Sequence, residues 1–453
     1  MRVHFIAIGG AAMHNLAIAL KLNGFNVSGS DDLITEPSKS RLEKHNLLPK
    51  TEGWDADLIT TEIDAIILGM HARIDNPELL KAQELGLRIY SYPDYIFEQS
   101  KDKIRVVIGG SHGKTTITSM ILHVLNHYKK DFDYLVGAQI EGFDNMVKLS
   151  DAPVIVIEGD EYLASPIDRR PKFHIYKPDI AVISGIAWDH INVFPTLQNY
   201  VDQFDLFIDT INDNGSLIYC AEDKTVNDLV NHKNPDLKLL PYIAPEFRIE
   251  NGQTNLITPE KYIYLSVFGR HNLLNLQAAK LVCNELGISE NDFYDAIQTF
   301  TGAAKRLEIV GKNLHSTIFK DFAHSPSKLV ATIAAVKEQF PDRKLIACIE
   351  LHTFSSLNKQ FLNEYKNSMD GADISIIYIN NKTFIHKGLE PYTAADIKEA
   401  FNITNFKLFT DSQKLFNYLC ELSLINSNLL MMSSGNFGLI DYTKLSGILL
   451  EDF

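Results

Sequence analysis

Short, unbroken apolar runs that end in glycine or a polar cluster, each followed by apolar residues at helical spacing, recur along this chain. Val3 to Ile8 is one such run, and Gly9-Gly10-Ala11-Ala12-Met13 turns it into a segment carrying Met13, Leu16, Ala17 and Leu20. Further strands are predicted near Val27, ending in Ser28-Gly29-Ser30-Asp31, and at Ala65 to Leu68 and Leu87 to Ser91. Gly69-Met70-His71-Ala72 closes the first of the latter pair. Ile104 to Ile108 is β-branched with a single charge; beyond the glycines that follow it, Ile117, Met120, Ile121, Val124 and Leu125 form one helical stripe. Val154 to Ile157 and Ile180 to Ile186 are again continuous. Runs without alternation belong to strands covered on both faces, and their exchange with helical segments predicts α/β domains with mostly parallel sheets.

The second half of the chain repeats the logic less regularly. After a loop-rich stretch at about 231 to 265, Gly269-Arg270-His271-Asn272-Leu273-Leu274-Asn275 opens a helix with Leu276, Ala279 and Leu281 available for burial. Asn272 there also suits a helix N-cap. Thr301 to Glu308 separates two periodic regions and reads as a linker. Ile318-Phe319 then leads to Asp321-Phe322-Ala323-His324-Ser325-Pro326 and a helix with Leu329, Ile333 and Val336. Strands at Leu345 to Ile349, Ile374 to Ile379 and Leu429 to Met432 complete another α/β unit. A chain of 453 residues is too long for one ordinary core, so two to four domains are expected.

Candidate chemistry centres on Gly110-Ser111-His112-Gly113-Lys114-Thr115-Thr116, set between a strand and a helix. Glycines let the backbone approach a polyphosphate, successive N–H groups point at its oxygens, and the helix start adds partial positive charge. Lys114 would contact the terminal phosphates and Thr115 would place a hydroxyl on magnesium. The spacing is shorter than the usual phosphate loop, which points to a particular subset of ATP users. Ligands of parallel sheets sit at the carboxyl ends of strands, so Glu158, in Glu158-Gly159-Asp160-Glu161, and Asp189-His190 are expected on the edge that carries Lys114. A carboxylate suits magnesium; His190 reads either as a ligand or as a hydrogen-bonded core histidine. Asp31 lies at the distance from Gly9 at which an acidic residue meets a ribose or uracil edge, but Ala11 and Ala12 replace fingerprint glycines, which disfavours a nicotinamide cofactor.

Composition narrows the classes. A net charge of -14 argues against a nucleic-acid partner, against which Arg169-Arg170 with Lys172 and Lys305-Arg306 stand out. No apolar run approaches the ~20 residues of a membrane span. The N-terminal run lacks the long apolar core of a secretory signal, so a cytoplasmic location and no membrane partner are expected. Cys220, Cys283, Cys348 and Cys420 have neither C-x-x-C nor zinc spacing and read as reduced thiols. A GTPase switch would need an [NT]-K-x-D motif, which the sequence does not contain. A nicotinamide oxidoreductase would leave Lys114 and the C-terminal third unused.

Taken in order, Gly9-Gly10 with Met13, Ser28-Gly29-Ser30-Asp31, Gly110 to Thr116, Glu158 in E-x-D-E, Asp189-His190, Gly269-x-His271-Asn272-x-x-Asn275, Arg306 and Asp321-Phe322-Ala323-His324-x-Pro326 resemble the Mur ligase family over nearly the whole chain. The family joins amino acids or peptides to UDP-N-acetylmuramate precursors with ATP. The resemblance implies three domains: a Rossmann-like UDP-sugar domain at 1-102, a central P-loop ATPase with a mostly parallel sheet at 103-302, and a Rossmann-like amine or peptide domain at 303-453. It implies ATP and Mg2+ as cofactors and UDP-N-acetylmuramate with an amino acid or peptide as substrates. Gly110, Ser111, His112, Gly113, Lys114, Thr115 and Thr116, with Asn272, Asn275, Arg306, Asp321 and His324, would line the nucleotide. Thr115, Glu158 and His190 would hold metal, Lys114, His190 and Arg306 would be catalytic, and Gly9, Gly10, Ser30, Asp31 and His71 would meet the UDP-sugar. The carbamylated lysine that many members place after the Asp-His pair has no counterpart between His190 and Asp223.

Two branches share this acceptor, one adding L-alanine and one adding the tripeptide L-alanyl-γ-D-glutamyl-meso-diaminopimelate. Glu158 to Tyr162 followed by Asp168 to Pro178 is similar to the tripeptide branch, whose several carboxylates call for local cations such as Arg169, Arg170 and Lys172. Glu350-Leu351-His352-Thr353-Phe354-Ser355-Ser356 departs from the arginine-containing version associated with that branch. L-alanine addition therefore remains the alternative.

Overall fold

A computed structural model describes residues 1–451 except 141, 234, 387 and 388. The chain divides into two compact units, one made of Met1–Ile186, Val201–Tyr242 and Ala278–Phe293, the other of Ala187–Tyr200, Ile243–Gln277 and Tyr294–Phe453.

The first unit holds two sheets. Strands β1 (Arg2–Ile6), β2 (Asn26–Ser30), β3 (Ala65–Leu68) and β4 (Ile89–Ser91) pair in parallel in the order β2-β1-β3-β4. Every residue of β3 is buried, as its unbroken run requires. The predicted first strand overshoots by two residues. Ala7 turns into left-handed backbone (φ 70), and both Ala7 N–H and Ile8 N–H donate to Ser30 O, which bends the chain across the end of β2.

The second sheet comprises β5 (Ile104–Gly109), β6 (Asp133–Leu135), β7 (Val147–Lys148), β8 (Val154–Glu158), β9 (Ile180–Ile183), β10 (Ser216–Cys220) and β11 (Lys238–Tyr242). Its order is β11-β10-β9-β5-β8-β6-β7, parallel except at β6-β7. From β5 the chain goes on to β6 and β8 on one side, and from β9 to β10 and β11 on the other. The carboxyl end of β5 next to β9 is thus a topological switch point, where such sheets bind ligands. The run predicted to 186 stays paired only to Ile183: its ladder to β5 closes with Ser184 N–H donating to Gly109 O at 3.1 Å, and Gly185 O then accepts Ser111 N–H from the glycine loop instead of a strand N–H.

In the second unit, β12 (Phe247–Glu250), β13 (Gln253–Ile257) and β14 (Tyr262–Leu265) form a small antiparallel sheet. The stretch expected to be loop-rich is therefore largely ordered: it holds part of a helix (Lys224–Lys233), β11 and these three strands. Thr254, Leu256, Ile263 and Leu265 face inward while their neighbours stay polar or exposed, an alternation too short to stand out locally.

The large sheet of this unit runs β15-β16-β20-β17-β18-β19, with β15 (Glu308–Lys312), β16 (Thr317–Asp321), β17 (Lys344–Glu350), β18 (Ile374–Tyr378), β19 (Phe406–Phe409) and β20 (Ser427–Met432). Only β15 is antiparallel to its neighbour. Leu345, Ala347 and Ile349 of β17 join one core with Leu329, Ile333 and Val336 of the helix Pro326–Gln339; Ile346 and Cys348 join a second core on the opposite face. Among the described residues no helix is long and apolar enough to cross a membrane.

Candidate functional site

In the first unit, β5 ends at Gly109 and the helix Lys114–His127 begins five residues later. Gly110 (φ 130) and Gly113 (φ 80) give the intervening loop the left-handed conformations that favour glycine. A Cβ on Gly110 would lie 2.1 Å from Ser184 Oγ and 3.0 Å from Ser184 N. The loop is sewn to the exit of β9: Ser111 N–H donates to Gly185 O at 2.9 Å, and Ser184 Oγ donates to His112 O. The His112 ring covers Gly185, where any Cβ would fall 2.2 Å from His112 Cε1.

Two acidic residues from the end of β8 and the turn after it meet this loop. Thr115 Oγ1 donates to Glu158 Oε1 at 2.8 Å, and Gly137 N–H donates to Glu158 Oε2 at 2.8 Å. Lys114 Nζ donates to Gly110 O and to Glu161 Oε2, both at 2.6 Å. Burial opposes the Lys114 charge, yet Glu161, Asp160 and Glu158 outweigh it and hold its pKa above the ordinary lysine value. Glu161 is 1% exposed and escaped the sequence reading as a partner of Lys114, although E-x-D-E was the signal for it. A hydroxyl and a carboxylate so placed suit a hard cation, and the ammonium suits the polyphosphate beside it.

The nearby basic cluster is largely self-neutralised. Arg170 forms a forked pair with Asp168 (3.0 and 2.6 Å) and Lys172 pairs with Asp160 at 2.5 Å, while Arg169 is exposed. The free cations expected for a tripeptide are thus mostly engaged, because carboxylates of the same loop lie within reach.

At the carboxyl ends of β1 to β3, Gly9 N–H donates to Asp31 Oδ2 at 2.7 Å and Asp32 N–H to Asp31 Oδ1 at 3.0 Å. Burial, against these N–H groups, pushes the Asp31 carboxyl up to about 6. Ser30 Oγ donates to the fully buried Glu78, which also pairs with His4. Ser30 and Asp31 are both buried, and the Ser30 carbonyl and the Asp31 carboxylate accept N–H groups of the turn from Ala7 to Gly9. His71 is exposed beyond β3.

In the second unit, His190 takes left-handed backbone (φ 53) and its N–H donates to Asp189 Oδ1 at 2.8 Å. Burial would raise the Asp189 pKa, but Lys328, His190 and His324 bring it down to about 2. Lys328 Nζ lies 3.7 Å from Asp189 Oδ2, a neighbour not anticipated from sequence. His324 Nδ1 donates to Phe322 O at 2.8 Å, which fixes the neutral tautomer with its lone pair on Nε2. Burial, aided by Lys328, pushes His324 down to about 3.

Asp321 and Arg306 are linked through the backbone. Asp321 Oδ2 accepts Leu307 N–H and Oδ1 accepts Ala323 N–H, both at 2.7 Å, so its carboxylate holds the turn that carries Arg306. Arg306 lies over the Phe322 ring at 4.5 Å. Asn272 is inside the helix Arg270–Glu285 and its side chain bonds back to Phe268 O at 2.9 Å, so it is not an N-cap. Asn275 Nδ2 reaches Asn272 Oδ1 at 3.5 Å, and both side chains are buried. Asp321→Ala should leave two buried N–H groups unpaired and cost about 2–4 kcal/mol in urea unfolding. A change below about 0.5 kcal/mol would show that the turn stands without the carboxylate.

A parallel switch-point sheet with a glycine phosphate loop, followed by a second parallel sheet, defines a multidomain nucleotide-dependent enzyme. The comparisons name the family. A model described as the Mur ligase middle domain matches residues 108–283, and one described as Mur ligase family, catalytic domain, matches residues 2–103. A UDP-N-acetylmuramate--L-alanine ligase of Caldicellulosiruptor bescii is 31% identical over 89% of this chain and 87% of its own. The UDP-N-acetylmuramate:L-alanyl-gamma-D-glutamyl-meso-diaminopimelate ligase of Neisseria is 26% identical, with a TM-score of 0.60, over 66% of this chain and 98% of its own. The UDP-N-acetylmuramate-alanine ligase of Thermotoga maritima shares the fold at a TM-score of 0.68 and 20% identity, over 100% and 98%. The chain belongs to the Mur ligase family and is an ATP-dependent ligase that forms a carbon–nitrogen bond.

Proposed function

We propose that this chain joins L-alanyl-γ-D-glutamyl-meso-diaminopimelate to UDP-N-acetylmuramate through an acyl phosphate, a step of peptidoglycan recycling. The observation that supports the chemistry most is the convergence of Lys114, Thr115 and Glu158 at the ends of β5 and β8. A carboxylate does not acylate an amine unaided, because oxide does not leave; transfer of the terminal phosphoryl group of ATP to a carboxylate oxygen releases ADP and makes phosphate the group that the amine expels. The amine then attacks through a tetrahedral intermediate. Phosphoryl transfer asks for positioning and charge neutralisation. The N–H groups of Gly110, Ser111, His112, Gly113 and Thr116 would cradle the nucleotide with Lys114, and Asn272 and Asn275 would line its adenine or phosphate side. Thr115, Glu158 and His190 would hold Mg2+, which would supply Lewis acidity and neutralise phosphate charge.

Arg306, presented by the Asp321 turn, would take the transferred phosphoryl group, with His324 beside it. Gly9 and Gly10, shaped by Ser30 and Asp31, and His71 would face the UDP-sugar. The three domains would be 1-102, 103-302 and 303-453. Arg306→Lys keeps the charge but loses the planar fork. Turnover should fall at least about tenfold while ATP affinity changes less, read from steady-state kinetics and nucleotide titration. An unchanged rate would make Arg306 an ordinary linker residue.

The peptide is favoured by the run from Glu158 to Pro178, whose shape is fixed by the Asp160–Lys172 and Asp168–Arg170 pairs and which leaves Arg169 exposed toward solvent. The second reading, addition of L-alanine, is favoured by the name of the 31% identical relative. ADP release with UDP-N-acetylmuramate and either amine separates them. A higher specificity constant with the tripeptide is expected; a higher one with L-alanine replaces the first reading with the second.

A further inference from the structure

Asn15 is 0% exposed and polar, lies outside the residues discussed above, and sits on the helix Ala11–Leu22 that leaves the Gly9-Gly10 turn. Burial of an amide is tolerated only when its polar atoms are paired, so its partners reveal what it holds. On one side they lead to the glycine turn. Asn15 Nδ2 donates to His14 Nε2 at 3.0 Å, so the proton of His14 sits on Nδ1 and is donated to Gly10 O at 2.9 Å. Ser38 Oγ, at 3.1 Å, closes over the same nitrogen.

On the other side they lead to the segment between β6 and β8. Asn15 Oδ1 accepts Met146 N–H at 3.1 Å and Arg41 Nη2 at 2.9 Å, and Asn15 O accepts Asn145 Nδ2 at 2.9 Å. Arg41 adds bonds to Asp144 O at 3.1 Å and Asn145 Oδ1 at 3.0 Å. Met146 O accepts Val136 N–H at 3.0 Å, and the next residue, Gly137, donates its N–H to Glu158 Oε2. Gly137 lies flat on that carboxylate: a Cβ there would be 2.9 Å from Glu158 Oε1. A route of hydrogen bonds joined by the backbone of Met146 and of Val136-Gly137, all within the first unit, thus runs from Gly10 O through His14 and Asn15 to the carboxylate that also accepts Thr115 Oγ1.

We propose that Asn15, with Arg41, is a positioning residue that ties the geometry of the Gly9-Gly10 turn to that of Glu158, so that occupancy of the sugar-nucleotide side and of the magnesium–nucleotide side are energetically coupled. This rests on the functional reading given above for those two loops. A chain of contacts establishes a route, and only the energetic coupling itself demonstrates its use. The residue is not catalytic: it meets neither reacting group.

The test is calorimetric titration of UDP-N-acetylmuramate into the full chain with and without saturating Mg2+ and ADP. The wild-type affinities should differ at least about fivefold between the two conditions, the lower end of usual site-to-site coupling. Asn15→Ala should bring the ratio to within about twofold of unity, and Arg41→Ala, a change at a half-buried surface residue that leaves Asn15 in place, should reduce it partway. Arg41→Ala carries the test should Asn15→Ala fail to fold. A wild-type ratio of one overturns the inference, and so does a variant that melts earlier yet keeps the wild-type ratio, since that is a purely structural role. Wild-type protein that binds neither ligand would instead remove the functional reading beneath it.

Discussion

Replacing Lys114 with alanine is expected to lower ligation turnover about 10²–10³-fold, the usual effect of deleting one preorganised charge from a transition state. The same change should also weaken the fold, because Lys114 is not solely a ligand-facing group. Its ammonium is bound at 2.6 Å to Glu161, a carboxylate 1% exposed, and removal of one member of a buried pair costs about 3–5 kcal/mol. The double variant Lys114→Met with Glu161→Gln separates the two effects. It removes both charges, so most of the lost stability should return while turnover stays low. Near-normal turnover in either variant would exclude Lys114 from phosphate binding.

Gly110→Ala should be nearly as damaging by a different route. Alanine must adopt φ 130, which L side chains rarely do, and its Cβ would meet Ser184 Oγ at 2.1 Å. The serine hydroxyl can rotate away only by giving up its bonds to Gly109 O and His112 O. Ser184 N and Gly185 N, at 3.0 and 3.2 Å, are backbone and cannot rotate. Together the strained dihedral and the overpacking should cost about 3 kcal/mol or more and displace the loop's N–H groups. Urea unfolding and ATP titration read the two consequences. A variant with wild-type affinity for ATP would mean that the loop tolerates a different path.

The elements legible in the sequence are those whose signal is local. Strand β5, its glycine loop and the following helix occupy one continuous segment, and the spacing of Gly110, Gly113, Lys114 and Thr115 needs no distant partner to be read. The pairing of Thr115 with Glu158 also follows, since parallel strands bring their carboxyl ends to one edge. What stayed hidden depends on contacts between distant residues. Glu161 clasps Lys114 across 47 positions, and Asp321 holds the Arg306 turn through Leu307 N–H. Arg170 and Lys172 read as available cations until folding sets Asp168 and Asp160 against them. The antiparallel β12–β14 sheet escaped because four- and five-residue strands with polar outer faces resemble loops when read singly. Strands β1 and β9 are shorter than their apolar runs for a related reason. Past their last ladder bonds, Ile8 N–H donates to Ser30 O and Gly185 O accepts Ser111 N–H, bonds that the hydrophobic pattern does not carry.

The central claim is that ATP activates the carboxylate of UDP-N-acetylmuramate as an acyl phosphate before the amine attacks. It is tested most directly by running the reaction with UDP-N-acetylmuramate whose lactyl carboxylate oxygens are isotopically heavy, and analysing the released phosphate by mass spectrometry. The account predicts one heavy oxygen in inorganic phosphate for each amide bond formed, with ADP as the co-product. Phosphate without heavy oxygen, or label appearing in AMP, would contradict it.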